Sequence, residues 1–334
     1  MAQARLATVD IAPFIHGDRS ARFFTARAFG HALESTGFAV IVGHGVPEAL
    51  SEATYAVVQA YFGQPLALKM QSVAPEKVKG RGYLPVGIES VAATLDGETP
   101  PDLCEALVFS APHRVVGPGA KANIWPPQPG PLGDLVLRYC AAMRSLTGQL
   151  ARLSALALDL GEDYFEPWFR DPALTLRFVN YPDQIDPPQP GQLRYGAHHD
   201  YGGLTILRQD AAPGGLQIFA DGEWGDVASV VNSFVINVGD LMSRWTNDRW
   251  RSTLHRVVNP DRRLTGSTQR LSMVAFTGPN EAMEVACLPS CCSPERPARY
   301  EPVVAGPYIQ AKLMRSMELT RQPMARDHDV RKLG

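Results

Sequence analysis

A mainly β core with helices packed on it is the fold class this sequence predicts, and three features of its 334 residues predict it. Beyond about residue 173 the chain breaks into short segments, alternating or β-branched, of the kind that form pleated strands. Gly-Gly, Asp-Gly and Gly-Asp pairs punctuate those segments, which is turn chemistry. Ahead of them, three segments within the first 160 or so residues carry helical spacing. A barrel or sandwich at the centre, with the helical N-terminal part packed on it, accounts for all three.

In chain order, residues 9–15 (Val-Asp-Ile-Ala-Pro-Phe-Ile) read as a short strand closed by a turn. Ser20 is placed to cap a helix running to about Ser35, with Phe29 and Leu33 on one face and Gly37 at its end. Phe38-Ala39-Val40-Ile41-Val42 is short, apolar and β-branched, hence a buried strand. Pro47 opens a second helix that buries Leu50, Ala53, Val57 and Tyr61 and stops at Gly63. His44, in the Gly-His-Gly turn between these elements, is expected to be structural, since nothing nearby completes a site. Residues 70–130 are irregular and rich in Gly and Pro, as lids and substrate loops often are. Asp134 then caps the clearest helix, whose Tyr139, Met143, Leu146, Leu150, Leu153, Ala157 and Leu160 form one apolar stripe ending at Gly161. Strands are expected at 174–181, 203–207, 215–219, 234–238, 253–258 and 270–276, and a C-terminal helix at about 306–320. The expected organisation is one integrated unit: an N-terminal helical extension (1–130), the scaffold helix, β core and C-terminal helix (131–322), and a polar tail (323–334).

A formal net charge of -2 gives no reason to expect nucleic acid or an anionic membrane as a partner. No apolar run approaches the roughly 18 residues of a membrane span, and the first residues lack a signal pattern. Five cysteines, odd in number and unevenly placed, do not resemble a disulfide framework. A cytoplasmic protein acting on a small-molecule substrate, without an obligate protein partner, is the expectation. Cys287, Cys291 and Cys292 lie close enough in sequence to suggest a metal cluster, but not at an accepted zinc spacing.

The chemistry concentrates in Tyr195-Gly196-Ala197-His198-His199-Asp200-Tyr201-Gly202-Gly203. On a strand His198 and Asp200 share a face and His199 takes the other. His255, in Ser252-Thr253-Leu254-His255-Arg256-Val257, can supply a third ligand from another strand. Two histidines and one carboxylate are the facial triad that suits non-haem Fe(II) and leaves three positions open; zinc accepts the same ligands. Arg270 and Ser272 again lie two apart, so a guanidinium and a hydroxyl share a face and are shaped to hold a carboxylate. Tyr181 can add another hydroxyl. The wall of the substrate pocket is expected from Tyr83, Phe109, Asn123 and Tyr201.

Taken together these segments resemble the isopenicillin-N-synthase-like branch of the Fe(II)- and 2-oxoglutarate-dependent oxygenases over nearly the whole chain. His198-His199-Asp200, Trp245-Thr246-Asn247-Asp248 through His255-Arg256-Val257, Arg270-Leu271-Ser272 and Asn180-Tyr181-Pro182 carry the resemblance in the β region. Thr36-Gly37-Phe38, Gly43-His44-Gly45-Val46, Gly82-Tyr83 and Asn123-Ile124-Trp125-Pro126 carry it nearer the N-terminus. Val179 and Cys104 stand where many plant members have asparagine and lysine. The resemblance implies a double-stranded β-helix (jelly roll) flanked by N- and C-terminal helices. It also implies that 2-oxoglutarate chelates Fe(II), with its C5 carboxylate on Arg270 and Ser272 helped by Tyr181, and that dioxygen takes the remaining position. The outcome would be succinate, carbon dioxide and an oxidised, most often hydroxylated, substrate. Two other readings stay open on sequence. One is an oxidase of the same fold that uses no 2-oxoglutarate and clamps the substrate's own carboxylate; the other is a non-catalytic binding protein.

Overall fold

The computed structural model describes residues 3–75, 80–96, 99–111, 123–184 and 186–315. From the N-terminus, β1 (Thr8–Asp10), α1 (Ala12–His16) and α2 (Arg19–Thr36) precede β2 (Phe38–Val42), α3 (Glu48–Phe62) and α4 (Leu66–Lys69). β3 (Gly82–Leu84), α5 (Ala93–Asp96) and β4 (Glu105–Ser110) lead to the long α6 (Leu132–Ala157) and the short α7 (Glu166–Phe169). The β region comprises β5 (Ala173–Tyr181), β6 (Tyr195–His198), β7 (Leu204–Gln209), β8 (Leu216–Ala220), β9 (Glu223–Asp226) and β10 (Phe234–Val238). After α8 (Asp240–Trp245) come β11 (His255–Val257), β12 (Arg270–Gly278) and a helix over 305–315. Among the described residues no helix is long and apolar enough to cross a membrane.

The strands form an eight-stranded sheet in the order β1-β2-β10-β7-β12-β5-β4-β3 and a four-stranded sheet in the order β6-β11-β8-β9. All pairs within these two sheets are antiparallel except β1–β2. Alternation along the strands decides the layers. Leu174, Leu176 and Phe178 on β5, with Leu271, Met273 and Ala275 on β12, join Phe29 and Leu33 of α2, Val57 and Tyr61 of α3 and the α6 stripe in one core. Each such large side chain contributes about 1.5–3 kcal/mol by leaving water. The intervening Arg177, Val179 and Tyr181, and Arg270, Ser272, Val274 and Phe276, turn to the opposite face and line a pocket against the small sheet. Phe38, Val40 and Val235 close the two sheets together against Leu216 and Ile218. This is the double-stranded β-helix that the resemblance implies.

Several local expectations are corrected. Only Thr8–Asp10 is strand; Pro13 then stands in the first turn of α1, where its missing N–H costs nothing. Asp18, not Ser20, caps α2, accepting the Ala21 N–H at 2.9 Å. Gly37 ends it with φ +72°, and a Cβ there would lie 2.2 Å from the Arg251 carbonyl oxygen, so only glycine fits. On α3 the buried positions include Thr54 while Ala53 is exposed. α6 begins at Leu132, before Asp134, and Leu160 lies beyond its end. The stretch 70–130 is not wholly irregular: β4 is buried along its whole length and pairs with β5. The N-terminal extension thus supplies four strands to the large sheet as well as its helices. The C-terminal helix is described to residue 315, and the expected tail 323–334 lies outside the described residues.

Candidate active site

β6 and β11 pair antiparallel with His198 opposite His255, which brings together two histidines 57 positions apart in sequence. Asp200 is not in the strand; it follows β6 by two residues, in a loop whose Asp200 carbonyl accepts the Asp240 N–H at the start of α8 (2.7 Å). It still reaches the same point. Asp200 Oδ1 lies 3.6 Å from His198 Nε2 and 3.8 Å from His255 Nε2. Among the described residues these three are the group of His, Cys, Asp or Glu side chains able to hold a metal ion.

The surroundings aim each donor atom. His198 Nδ1 meets the Gly196 carbonyl oxygen at 2.9 Å and His255 Nδ1 meets that of Thr253 at 3.0 Å. A carbonyl only accepts, so each Nδ1 carries the proton and each Nε2 presents a lone pair. Thr205 Oγ1 and Asn237 Nδ2 both donate to Asp200 Oδ2 at 2.6 Å, leaving Oδ1 free for the centre. Burial, then the neighbouring His255, hold His198 well below the usual histidine range, so it stays neutral. Burial works against ionisation of Asp200, but His255, His198 and the two donors outweigh it and hold the carboxyl low. A cation about 2.1 Å from each of three mutually perpendicular ligands separates them by about 3 Å, so a sub-ångström closing suffices. The donor set therefore fits a divalent ion of the Fe(II) or zinc kind.

Asn237 carries a checkable consequence. Replacing it with leucine removes one of the two bonds on Asp200 Oδ2. Iron affinity is expected to fall about 10–100-fold, measured by chelator competition, with thermal unfolding as a check that the fold survives. Unchanged affinity would count against this role.

At one end of the pocket stands the pair expected to hold a carboxylate, Arg270 and Ser272. Arg270 is opposite Tyr181 and Ser272 opposite Val179 in the β12–β5 register. The Arg270 guanidinium donates to Gln209 Oε1 (2.7 Å) and to the Ala212 and Gly214 carbonyls (2.9 and 3.2 Å), while its buried Nε has no partner. Asp210 approaches it at 3.4 Å, so its charge is partly met within the protein. Ser272 hydrogen-bonds the Tyr181 hydroxyl, and burial raises that phenol well above its ordinary range. A second buried guanidinium, Arg194, lies 5.9 Å from the Tyr181 ring centroid, and burial and Arg270 together lower it to about 10. Two buried cations around one tyrosine, with an unpaired N–H, suit an additional anion such as the distal carboxylate of 2-oxoglutarate.

The four residues expected in the substrate wall lie outside the lining of the pocket around the triad. Tyr83 is buried and donates to Glu105 Oε2, in a network with Lys69 rather than in the pocket. Phe109 turns with Leu107 toward the helices and stacks on Trp125 at 4.6 Å. Asn123 pairs both ways with the Ser110 backbone at 2.8 Å. Tyr201, beside Asp200, faces Lys312 (5.6 Å from the ring centroid) and is not among the residues lining the pocket around the triad. Among the described residues, the pocket around the triad is lined instead by Arg177, Val179, Tyr195, Val274 and Phe276, with others. Of the residues that sequence reasoning missed, Asn237 had a signal, a lone amide in the buried run Phe234–Val238; Thr205 and Arg194 had none. His199 faces Ser252 Oγ at 3.4 Å, away from the triad, as expected. His44 is buried between the Asn232 carbonyl and the Val46 N–H, a structural role. All five cysteines are free, and the Cys287 and Cys292 thiols both point to the Leu288 carbonyl rather than forming a metal cluster.

Comparison with known proteins agrees with this geometry. Residues 170–279 match the model of the 2OG-Fe(II) oxygenase superfamily, and residues 6–128 match that of the non-haem dioxygenase in morphine synthesis N-terminal region. The 2-oxoglutarate-Fe(II) type oxidoreductase hxnY of Emericella nidulans is 30% identical over 93% of this chain and 91% of its own. The homoarginine-6-hydroxylase 2-ODD-233 of Oryza sativa subsp. japonica is 31% identical over 85% and 86%. Among solved structures, a full-length Neurospora crassa protein in complex with alpha-KG and thymine superposes with a TM-score of 0.82, at 26% identity over 92% of this chain and 96% of that one.

Proposed function

The chain belongs to the 2OG-Fe(II) oxygenase superfamily and is a 2-oxoglutarate- and Fe(II)-dependent dioxygenase, and on that premise we propose how its residues divide the work. His198, Asp200 and His255 hold the iron, and Arg270, Ser272 and Tyr181 hold the C5 carboxylate of 2-oxoglutarate. The observation that carries this reading is the convergence of His198 Nε2, His255 Nε2 and Asp200 Oδ1 in the same pocket as the Arg270 clamp. Iron, 2-oxoglutarate and dioxygen supply the oxidising chemistry, in which the keto acid becomes succinate and carbon dioxide and a substrate C–H bond is oxidised.

The protein's own contribution is positioning and exclusion of water. The Gly196 and Thr253 carbonyls keep both imidazole protons away from the metal side, and Thr205 with Asn237 keep Asp200 turned by one oxygen. No side chain is required as a conventional acid or base. The apolar wall of Val179, Val257, Val274 and Phe276 keeps the reacting C–H bond dry. Hydroxylation of a small molecule is the outcome we assign, supported by the naming of the rice relative as a hydroxylase and by the thymine bound to the Neurospora protein. We place the protein in the isopenicillin-N-synthase-like branch on the segments around His198, His255 and Arg270, and in the cytoplasm on its five free thiols.

The test is succinate formation from 2-oxoglutarate by the Fe(II)-loaded enzyme, alone and with a panel of small metabolites. A low basal rate, raised by a substrate and matched by a product heavier by one oxygen, is expected. No 2-oxoglutarate turnover under any condition would overturn the assignment of the clamp.

A further inference from the structure

Cys287 and Cys292 stand on either side of one short turn of 3-10 helix, Pro289–Cys291, beside the C-terminal end of α8. The turn is anchored to that end. The Leu288 N–H bonds the Trp245 carbonyl at 2.9 Å, and Asn247 Nδ2 bonds the Cys291 carbonyl at 3.1 Å. The turn brings the two flanking side chains to one place. Cys287 Sγ lies 3.6 Å from the Leu288 carbonyl oxygen, and Cys292 Sγ lies 3.5 Å from the same oxygen. That oxygen already accepts the Cys291 N–H at 2.9 Å. A carbonyl oxygen has two lone pairs, so it serves only one of the thiols as well. The other S–H turns to its partner, and the Cys287 and Cys292 sulfurs are hydrogen-bonded to each other.

The two sulfurs are not equivalent. Burial first, and then the bond to Cys292, push the Cys287 thiol up to about 11, so it keeps its proton at neutral pH and is the donor of the pair. Cys292 is the acceptor, the sulfur whose electron pair is directed outward from the bond to its own proton. Arg296 is the nearby cation that eases ionisation of Cys287. Both residues are half-buried and open to a small reagent, whereas Cys291 between them is only 3% exposed, with its sulfur 3.9 Å from Ser290 Oγ. Cys104 and Cys140 are buried in the interior, away from this turn. Of the five thiols, these two are both paired and accessible.

We propose that Cys287 and Cys292 form a reversible dithiol–disulfide site, closed by a small disulfide of the glutathione kind and reopened by excess thiol. The Cys292 thiolate attacks one sulfur of glutathione disulfide. The S–S bond breaks, a mixed disulfide forms on Cys292, and one glutathione leaves as thiolate and takes up a proton. Cys287 then gives its proton to water and attacks the Cys292 sulfur. The Cys287–Cys292 bond forms and the second glutathione leaves. Two protein thiols are oxidised and one glutathione disulfide is reduced to two thiols. In a reducing compartment such a pair stays open and closes only under oxidative load. The exchange needs neither iron nor 2-oxoglutarate, because α8 separates the pair from the Asp240 N–H that holds the Asp200 carbonyl.

The test uses the Fe(II)- and 2-oxoglutarate-loaded enzyme, kept anaerobic, treated with glutathione disulfide, alkylated and mapped by peptide mass spectrometry. A single linkage, Cys287 to Cys292, is expected, and reduced glutathione in excess should reopen it. It should form at least about tenfold faster in the native enzyme than in enzyme unfolded in urea, because the fold holds the two sulfurs together. Cys287→Ser is expected to stop at one glutathione adduct on Cys292. Cys292→Ser should take up glutathione at least about tenfold more slowly than Cys287→Ser does. A thermal unfolding midpoint within a few degrees of the wild type shows that each variant is folded. No Cys287–Cys292 linkage, or one that forms no faster in the native than in the unfolded chain, would overturn the site. Equal rates for the two serine variants would overturn the order of attack.

Discussion

Replacing His255 with alanine is expected to reduce 2-oxoglutarate turnover by at least about a thousandfold and to bring the iron content of the purified protein close to zero. The physical reason lies in the three-atom donor set. With His255 gone, His198 Nε2 and Asp200 Oδ1 remain as two ligands on one side of the ion, and water fills the rest. The neighbouring His199→Ala is the control. Its ring lies against Ser252 rather than in the pocket, so iron content and turnover should stay within severalfold of the wild type. Metal analysis and succinate formation on the two variants decide the matter. A His255→Ala protein that keeps a full complement of iron would remove this residue from the triad. Loss of the fold is not expected to confuse the result, because a buried imidazole truncated to alanine costs a few kcal/mol at most.

Arg270→Ala is expected to raise the dissociation constant for 2-oxoglutarate by about a hundredfold or more, equivalent to about 2.7 kcal/mol. Turnover at saturating 2-oxoglutarate should suffer much less, because the reacting atoms lie at the other end of the keto acid. Arg270 also ties down the 209–214 turn through Gln209, Ala212 and Gly214, so alanine alone could loosen the pocket floor. Arg270→Lys separates the two effects. Lysine keeps the charge but not the planar fork, and affinity for 2-oxoglutarate should fall between wild type and alanine. If neither variant changes 2-oxoglutarate affinity, Arg270 is not the clamp.

Within the site, what could be read from the chain alone was whatever depends on neighbours two residues apart. Arg177, Val179 and Tyr181 on β5, and Arg270 and Ser272 on β12, share a face because a pleated strand alternates, and the structure keeps them there. Tyr83 and Phe109 failed for the complementary reason. Each has the right character for a pocket wall, but which face of β3 or β4 meets the helices is set by the layer that packs on it. The same layer buried β4 within the large sheet, although its surroundings in sequence are Gly- and Pro-rich loops. Asn237 and Thr205 act on Asp200 from β10 and β7, neighbours in the large sheet whose pairing no local pattern encodes.

The sequence by itself therefore determined the β core, the stripe of α6, the candidate ligands His198, Asp200 and His255, and the shared face of Arg270 and Ser272. Periodicity and motif are short-range properties, and each of these features is read segment by segment, from a single strand, helix or motif at a time. Tertiary structure alone decided three further matters. It set His198 opposite His255 across β6 and β11, turned one oxygen of Asp200 toward them from a loop outside the strand, and placed Glu89 on Arg177 at the far end of the pocket. The contacts behind each join segments separated by 5 to 88 positions, and the longer of them exist only once the two sheets and the segment that covers them have closed.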